Sequence, residues 1–177
     1  MRIGIDISQL AYPDTGVANY LVNLVHYIIE QDRENEYVLF YSSMRKRIQN
    51  SKLKIQNSNS KVKIKEFKFP PILLNLVWNR FHIIPIEWLI GDIDLFISSD
   101  WTQPPTNAKN VTILYDLVIY KYPQETDSKI VTVQKKRLEW VKKECDTIIC
   151  ISEATKKDAV EILKISPEKL TVVYPGI

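Results

Sequence analysis

The chain is poor in the residues that build phosphate-binding loops, metal sites and disulfides. Its 177 residues include four glycines (Gly4, Gly16, Gly91 and Gly176), two cysteines and two histidines. No Gly-x-Gly-x-x-Gly run occurs, which disfavours a dinucleotide-binding enzyme, because the pyrophosphate needs close backbone approach at several points. Cys145 and Cys150 have neither redox Cys-x-x-Cys nor zinc-ligand spacing, so buried, reduced thiols and no metal site are expected. A long uninterrupted apolar run is missing as well. The most apolar stretch, residues 69–91, is broken by Arg80, His82, Glu87 and three prolines, which argues against a transmembrane helix. The chain opens directly on an apolar strand, leaving no room for a secretory leader, so a cytoplasmic location is expected.

What is present belongs to an ordinary globular protein, 45% hydrophobic and 25% charged. Residues 1–177 make one domain, long enough for a substantial core without cross-links. The net charge of +3 is unevenly spread, with nine basic residues against one acid, Glu66, between Met44 and Lys68. One reading is a solvated insertion, 44–65, running into a lysine-protected edge strand. The other is a surface for anionic lipid on the inner face of a membrane. Within it, Ser51–Ile55 and Ser60–Ile64 nearly repeat each other, as a flexible insertion would. Nucleic acid is not expected as a partner: interleaved aromatics and a helix-turn-helix pattern are both lacking.

Short apolar strands alternate with amphipathic helices. Residues 1–7 form a strand, and Val17, Tyr20, Leu21, Leu24, Val25 and Ile28 then recur at helical spacing. Strands follow at 37–42 and 62–69, the latter with one wet face, and residues 75–90 are helical in pieces. Two further buried strands cover 92–99 and 110–117. A helix from Ser128 to Glu144 turns Ile130, Val133, Leu138 and Val141 inward. A strand at 147–152, a helix from Glu153 and a strand at 170–175 complete the order. All-apolar strands alternating with helices predict an α/β fold: a Rossmann-like, doubly wound, mostly parallel sheet with helices on both faces.

Ligands in such sheets bind beyond the carboxyl ends of the strands. Four stretches are expected there: residues 8–16, 98–105, 115–117 and 151–155. Thr15-Gly16 opens a helix, which either caps it or offers free backbone N–H groups to an anion. Tyr115-Asp116 ends a strand, where Asp116 serves as a cap or as an active-site carboxylate, and Tyr115 is a hydrogen-bond donor and a poor base. Ser152, Glu153 and Thr155 read first as a capped helix start. Asn110-Val111-Thr112 is a glycosylation sequon on a strand and is discounted. His26 and His82 show no serine, cysteine or acid partner that would make a triad.

Three stretches in order resemble the group 1 (family 4) glycosyltransferases. Thr15-Gly16-Val17-Ala18-Asn19-Tyr20 is similar to the family's Thr-Gly-Ile-Gly-Arg-Tyr-like helix start. Tyr115-Asp116-Leu117, followed by Tyr122-Pro123, is similar to its His-Asp-Leu strand end. Ser152-Glu153-Ala154-Thr155, with Pro167-Glu168-Lys169 and Pro175-Gly176-Ile177 behind it, resembles the helix and strand that lead toward a second domain. The resemblance implies the acceptor-side half of a two-domain GT-B enzyme. Such an enzyme takes a nucleotide-sugar donor and a saccharide or lipid-linked acceptor, with retention, no metal and no cofactor.

The resemblance also assigns roles. Gly16, beside Thr15, would meet the donor's phosphate or sugar, Tyr115 and Asp116 would stand at the reacting centre, and Ser152, Glu153 and Thr155 would border the cleft. Tyr115 replaces a family histidine, and Ala18-Asn19 replaces Gly-Arg. The C-terminal donor-binding domain is absent from 1–177, so inactivity without a separate donor domain is expected. The other readings are a stand-alone, non-catalytic binding or assembly module, pairing with a donor domain or with itself as a homodimer, and a small-nucleotide-binding regulator. The basic segment with Trp78, Phe81 and Trp88 nearby would hold the domain on an anionic membrane.

Overall fold

The computed structural model describes residues 1–47 and 61–175. The SKLKI copy and most of the 44–65 insertion lie outside the described residues. Seven strands form one all-parallel sheet: β1 (Arg2–Asp6), β2 (Glu36–Ser42), β3 (Val62–Phe67), β4 (Leu95–Ser98), β5 (Lys109–Leu114), β6 (Thr147–Cys150) and β7 (Leu170–Val172), in the order β3-β2-β1-β4-β5-β6-β7. This is the expected doubly wound Rossmann-like fold. β1 sits at the reversal of order, with Ile3 paired to Tyr37 on one side and to Leu95 on the other.

The helices are α1 (Gly16–Gln31), α2 (Pro71–Leu74), α3 (Glu87–Ile90), α4 (Val118–Lys121), α5 (Ser128–Glu144) and α6 (Glu153–Glu161), and α2 runs directly into a π-helical segment, Asn75–Arg80. α1 covers one face: its Tyr20, Leu21, Val25 and Ile29 pack with Ile3, Ile5, Tyr37, Leu39, Ile97 and Ile113. The alternate residues Val38, Phe40 and Phe96 meet Leu74, Trp78, Ile86 and Ile90 on the other face. Farther along that second face, Leu114, Ile148 and Cys150 meet Leu138 and Val141 of α5 and Ala159 of α6. Strands covered on both sides read as continuous apolar runs, as β2 does. Gly4 is where the second face needs a missing side chain: a Cβ there would lie 2.9 Å from both Ile90 Cδ1 and Phe96 Cδ2.

β3 is the sheet edge, and its Lys63 and Lys65 are exposed, the lysine-protected edge expected from sequence. Both cysteines are free and buried, and burial pushes the Cys145 thiol up to about 12 and the Cys150 thiol up to about 11, which leaves them unreactive.

Three expectations need correction. Ile130 is exposed and Val133 half-buried; the inward face of α5 is instead Gln134, Arg137, Leu138 and Val141. Trp78 is not a surface ring but a core residue, donating its indole N–H to the Ile84 carbonyl at 2.9 Å. Both histidines do have an acid partner: Glu30 Oε2, one turn along α1, lies 3.4 Å from His26 Nε2, and the fold brings Glu144 Oε2 to 2.8 Å from His82 Nε2. The His82 Nδ1 lies 2.9 Å from the Trp78 carbonyl and its ring stacks on Trp140 at 3.8 Å. Both nitrogens are thus occupied in tying α5 to the π-helical segment, a structural task that needs no nucleophile.

Candidate active-site cleft

The connections leaving β1 and β4 diverge, opening a crevice at their carboxyl ends. Asp6, the last residue of β1, is buried there: its Oδ1 accepts from the Ser8 backbone N–H at 2.9 Å and its Oδ2 from the Ser99 hydroxyl at 2.8 Å. Burial raises its pKa, while the bonds from Ser8 and Ser99 and the charge of Arg137 pull it back. A cavity of about 620 Å³ opens above it. Ser8 and Tyr12 line it from the first loop, Arg45 and Lys46 from the segment after β2, Pro71, Leu74 and Asn75 from α2 and its continuation, and Trp101 and Thr102 from the loop after β4. Tyr12 and Trp101 keep exposed ring surface at this cavity.

Beside it lies a smaller hollow of about 290 Å³, lined among others by Val17, Asp100, Tyr115, Asp116, Gln134 and Arg137. Its floor is a buried polar network. The Arg137 side chain is 1% exposed, and its Nη2 donates to Thr112 Oγ1 at 2.8 Å and to the Ile113 carbonyl at 3.3 Å. Its Nη1 stands 3.6 Å from Asp100 Oδ1. Gln134 Nε2 donates to the Asp100 carbonyl at 2.7 Å. Below, Ser98 Oγ lies 2.7 Å from Thr112 Oγ1 and 2.6 Å from Gln103 Oε1, and Gln103 Nε2 donates to Asn110 Oδ1 at 3.0 Å. Asn110 is therefore part of the interior, in keeping with its discounting as a sequon. Burial lowers the Arg137 pKa, countered first by Asp100. Burial raises that of Asp100, opposed by Arg137 and reinforced by the charge of Asp116.

Tyr115 and Asp116 both reach this hollow. The Tyr115 ring meets Tyr20 edge-on at 5.5 Å, and its buried hydroxyl has no protein partner. Burial raises its pKa, so it is a phenol that can donate and not a base. Asp116 is exposed and its Oδ1 accepts from the Val118 N–H at 3.0 Å, a turn-capping bond. Thr15 caps α1 by accepting from the Ala18 N–H at 3.2 Å, so capping falls to Thr15. Gly16 itself has nothing within 4 Å of a would-be Cβ and its backbone is open to approach. Ser152 caps α6, accepting from the Thr155 N–H at 3.1 Å, with Glu153 exposed in the first turn. Thr155 is buried behind the cleft, its hydroxyl donating to the Tyr115 carbonyl at 3.0 Å.

Thus Tyr115 and Asp116 share one hollow, Thr155 supports it from behind, and Thr15, Gly16, Ser152 and Glu153 are not among the residues lining either cavity. Ser99 and Asp100 lie in the expected stretch 98–105 without having been singled out, and Asp6 and Arg137 were not foreseen. The signal for Arg137 lay in α5: Gln134, Arg137, Leu138 and Val141 follow the helical period, so two polar residues occupied the inward stripe.

Among the described residues no group of three or more His, Cys, Asp or Glu side chains is placed to hold a metal ion. Comparison with curated proteins finds no match. Comparison with family models matches Glycosyltransferase Family 4 over residues 15–177, from just before α1 to past the last strand, with the cleft residues Asp6, Ser8 and Tyr12 ahead of it. The parallel sheet, the cleft at its reversal and this match over nearly the whole sequence agree: the chain belongs to glycosyltransferase family 4.

Proposed function

We propose that this domain is the acceptor-side half of a retaining glycosyltransferase, serving transfer from a nucleotide-sugar donor to a saccharide or lipid-linked acceptor. The observation that carries the reading is the cavity of about 620 Å³ at the strand reversal, with the Asp6 carboxylate below and the Trp101 and Tyr12 rings beside it. A carboxylate that accepts hydroxyl hydrogens, with flat apolar rings nearby, matches the alternating polar edges and apolar faces of a sugar. In this reading Asp6, already held by Ser8 and Ser99, orients an acceptor hydroxyl. Tyr115 offers its unpartnered hydroxyl to the transferred sugar, and Asp116 fixes the loop beside it. The amide end of α1 at Gly16 faces the donor phosphate, so backbone dipoles stabilise the leaving nucleotide without a metal or other cofactor. Ser152, Glu153 and Thr155 set the border of the cleft.

Most donor contacts are assigned to a second, donor-binding domain. Calorimetry with a panel of nucleotide sugars should therefore give no tight binding to residues 1–177, and sugar transfer should appear when a donor-binding domain is supplied. Tight nucleotide-sugar binding by this chain would overturn the division of labour. A second reading, a non-catalytic module that assembles with a donor domain, draws on Tyr115 standing in place of the family histidine with its hydroxyl buried. Stable association with a donor domain, but no transfer to any saccharide acceptor, would decide for it.

A further inference from the structure

The geometry points to the outer face of residues 71–90 as a docking surface for an anionic lipid bilayer. From α2 into the π-helical segment, Leu74 and Trp78 face the core. The opposite side is apolar too: Ile72 is 81% exposed, and Leu73 and Leu76 are exposed beside it. The chain then folds back on this element, the Ile83 N–H donating to the Val77 carbonyl at 3.0 Å, which leaves Phe81 and Ile83 exposed; Trp88 follows at 77% exposure. Scattered exposed hydrophobics are normal, but seven large ones, Ile84 among them, within 17 residues of a short segment are not. A helix apolar on both sides sits between a core and a second apolar phase.

Charge selects the bilayer over a protein partner. Residues 67–86 contain no acid, while Lys68 and Arg80 are both exposed. The Arg80 guanidinium lies 5.9 Å above the Phe81 ring, an interfacial pairing of cation and aromatic. The carboxylate of Glu87 is engaged locally, its Oε1 accepting from the Thr106 hydroxyl at 2.6 Å and the Asn107 N–H at 2.8 Å. Arg45 and Lys46 add positive charge on the cavity wall that Pro71, Leu74 and Asn75 also form. Clustered cations gain energy near anionic headgroups, and exposed Trp and Ile side chains gain it by entering the acyl boundary. No helix among the described residues is long and apolar enough to cross a membrane, so the contact is one of lying on the surface.

Docked this way, the domain presents the shared wall of its cavity to the bilayer, and the acceptor is lipid-anchored. That last step rests on the glycosyltransferase reading; the docking does not. The experiment is co-sedimentation of the full chain with phosphatidylcholine vesicles, with and without about one third phosphatidylglycerol, at low and high salt. Binding is expected only with the anionic lipid, and weaker in salt. Ile72→Glu with Trp88→Glu, both at surface positions, should lower vesicle affinity about tenfold or more with an unchanged circular dichroism spectrum. Arg45→Gln with Lys46→Gln and Arg80→Gln should lower it several-fold and flatten the salt dependence. Absence of binding to anionic vesicles, or equal binding by the Ile72/Trp88 variant, overturns the proposal. So does a homodimer, seen by sedimentation, that the same two substitutions dissolve while vesicles are ignored. Docking with no sugar transfer even when a donor-binding domain is supplied would keep the surface and discard the enzyme reading, so the two fail separately.

Discussion

α1 and α5 are of nearly equal length, 16 and 17 residues, start at the same carboxyl edge of the sheet and cover opposite faces of it, yet their inward stripes differ in kind. α1 buries Ala18, Tyr20, Leu21, Val25 and Ile29. α5 buries Leu138 and Val141 in its second half, but Gln134 and Arg137 nearer the cleft. A fully buried guanidinium stays in place only where oxygen partners meet it, and here Thr112, the Ile113 carbonyl and Asp100 do so. α1 serves the core. α5 serves the core with one end and the loops of the cleft with the other, because Gln134 and Arg137 hold Asp100 by its carbonyl and its carboxylate.

Arg137→Ala offers the hardest test of that difference. It takes the guanidinium from the Ile113 carbonyl and the Asp100 carboxylate, while Thr112 keeps Ser98 as a partner and Asp100 keeps some access to solvent, so urea unfolding should show a loss of about 3 kcal/mol, the low end for a broken buried pair. Leu21→Ala at the equivalent depth of α1 should cost about 2–5 kcal/mol through its cavity alone. The two should separate by pH: the Leu21 effect should be flat from pH 4 to 8, and the Arg137 effect should shrink as Asp100 becomes protonated.

Asp6→Asn sharpens the same contrast at the cleft floor. The folded pKa of Asp6 lies above its unfolded value, so the native state binds the extra proton between the two values. That contribution is complete below the unfolded pKa of about 3.9 and is lost as pH rises through the folded pKa. The amide keeps an oxygen acceptor and carries no buried charge. The variant should therefore melt higher than the wild type at neutral pH, with the gain vanishing toward pH 4; a lower melting temperature at pH 7 would refute the assignment. The smallest effect is expected at Gly16, where a methyl group meets nothing within 4 Å. Gly16→Ala should leave stability within about 1 kcal/mol of wild type, so that any loss of transfer activity with a donor domain present reports on donor approach and not on folding.

Much of the fold was legible because local chemistry dictates it. The span Ser128–Glu144 could be named from helical period and flanking turns, and the Asp127 carboxylate that caps it accepts from the N–H groups of Lys129 and Ile130. The site was legible only in part. Its four loops could be placed at the sheet edge, but the pairing of Asp6 with Ser99 joins residues 93 apart in sequence. The broken segment 75–90 likewise concealed which ring goes inside. Trp78 and Trp88 look alike in sequence, yet the π-helical segment turns the first into the core and α3 leaves the second in solvent.

By itself the sequence determined the alternation of strand and helix, the parallel sheet it implies and the family motifs, since apolar period, caps and turns act over a few residues. Only the tertiary structure decided which polar residues meet inside, that Tyr115 ends with an unpartnered hydroxyl, and which apolar side chains are left outside. Those outcomes depend on which distant strands become neighbours, and the cost of burying polar groups without partners favours the arrangement that pairs most of them.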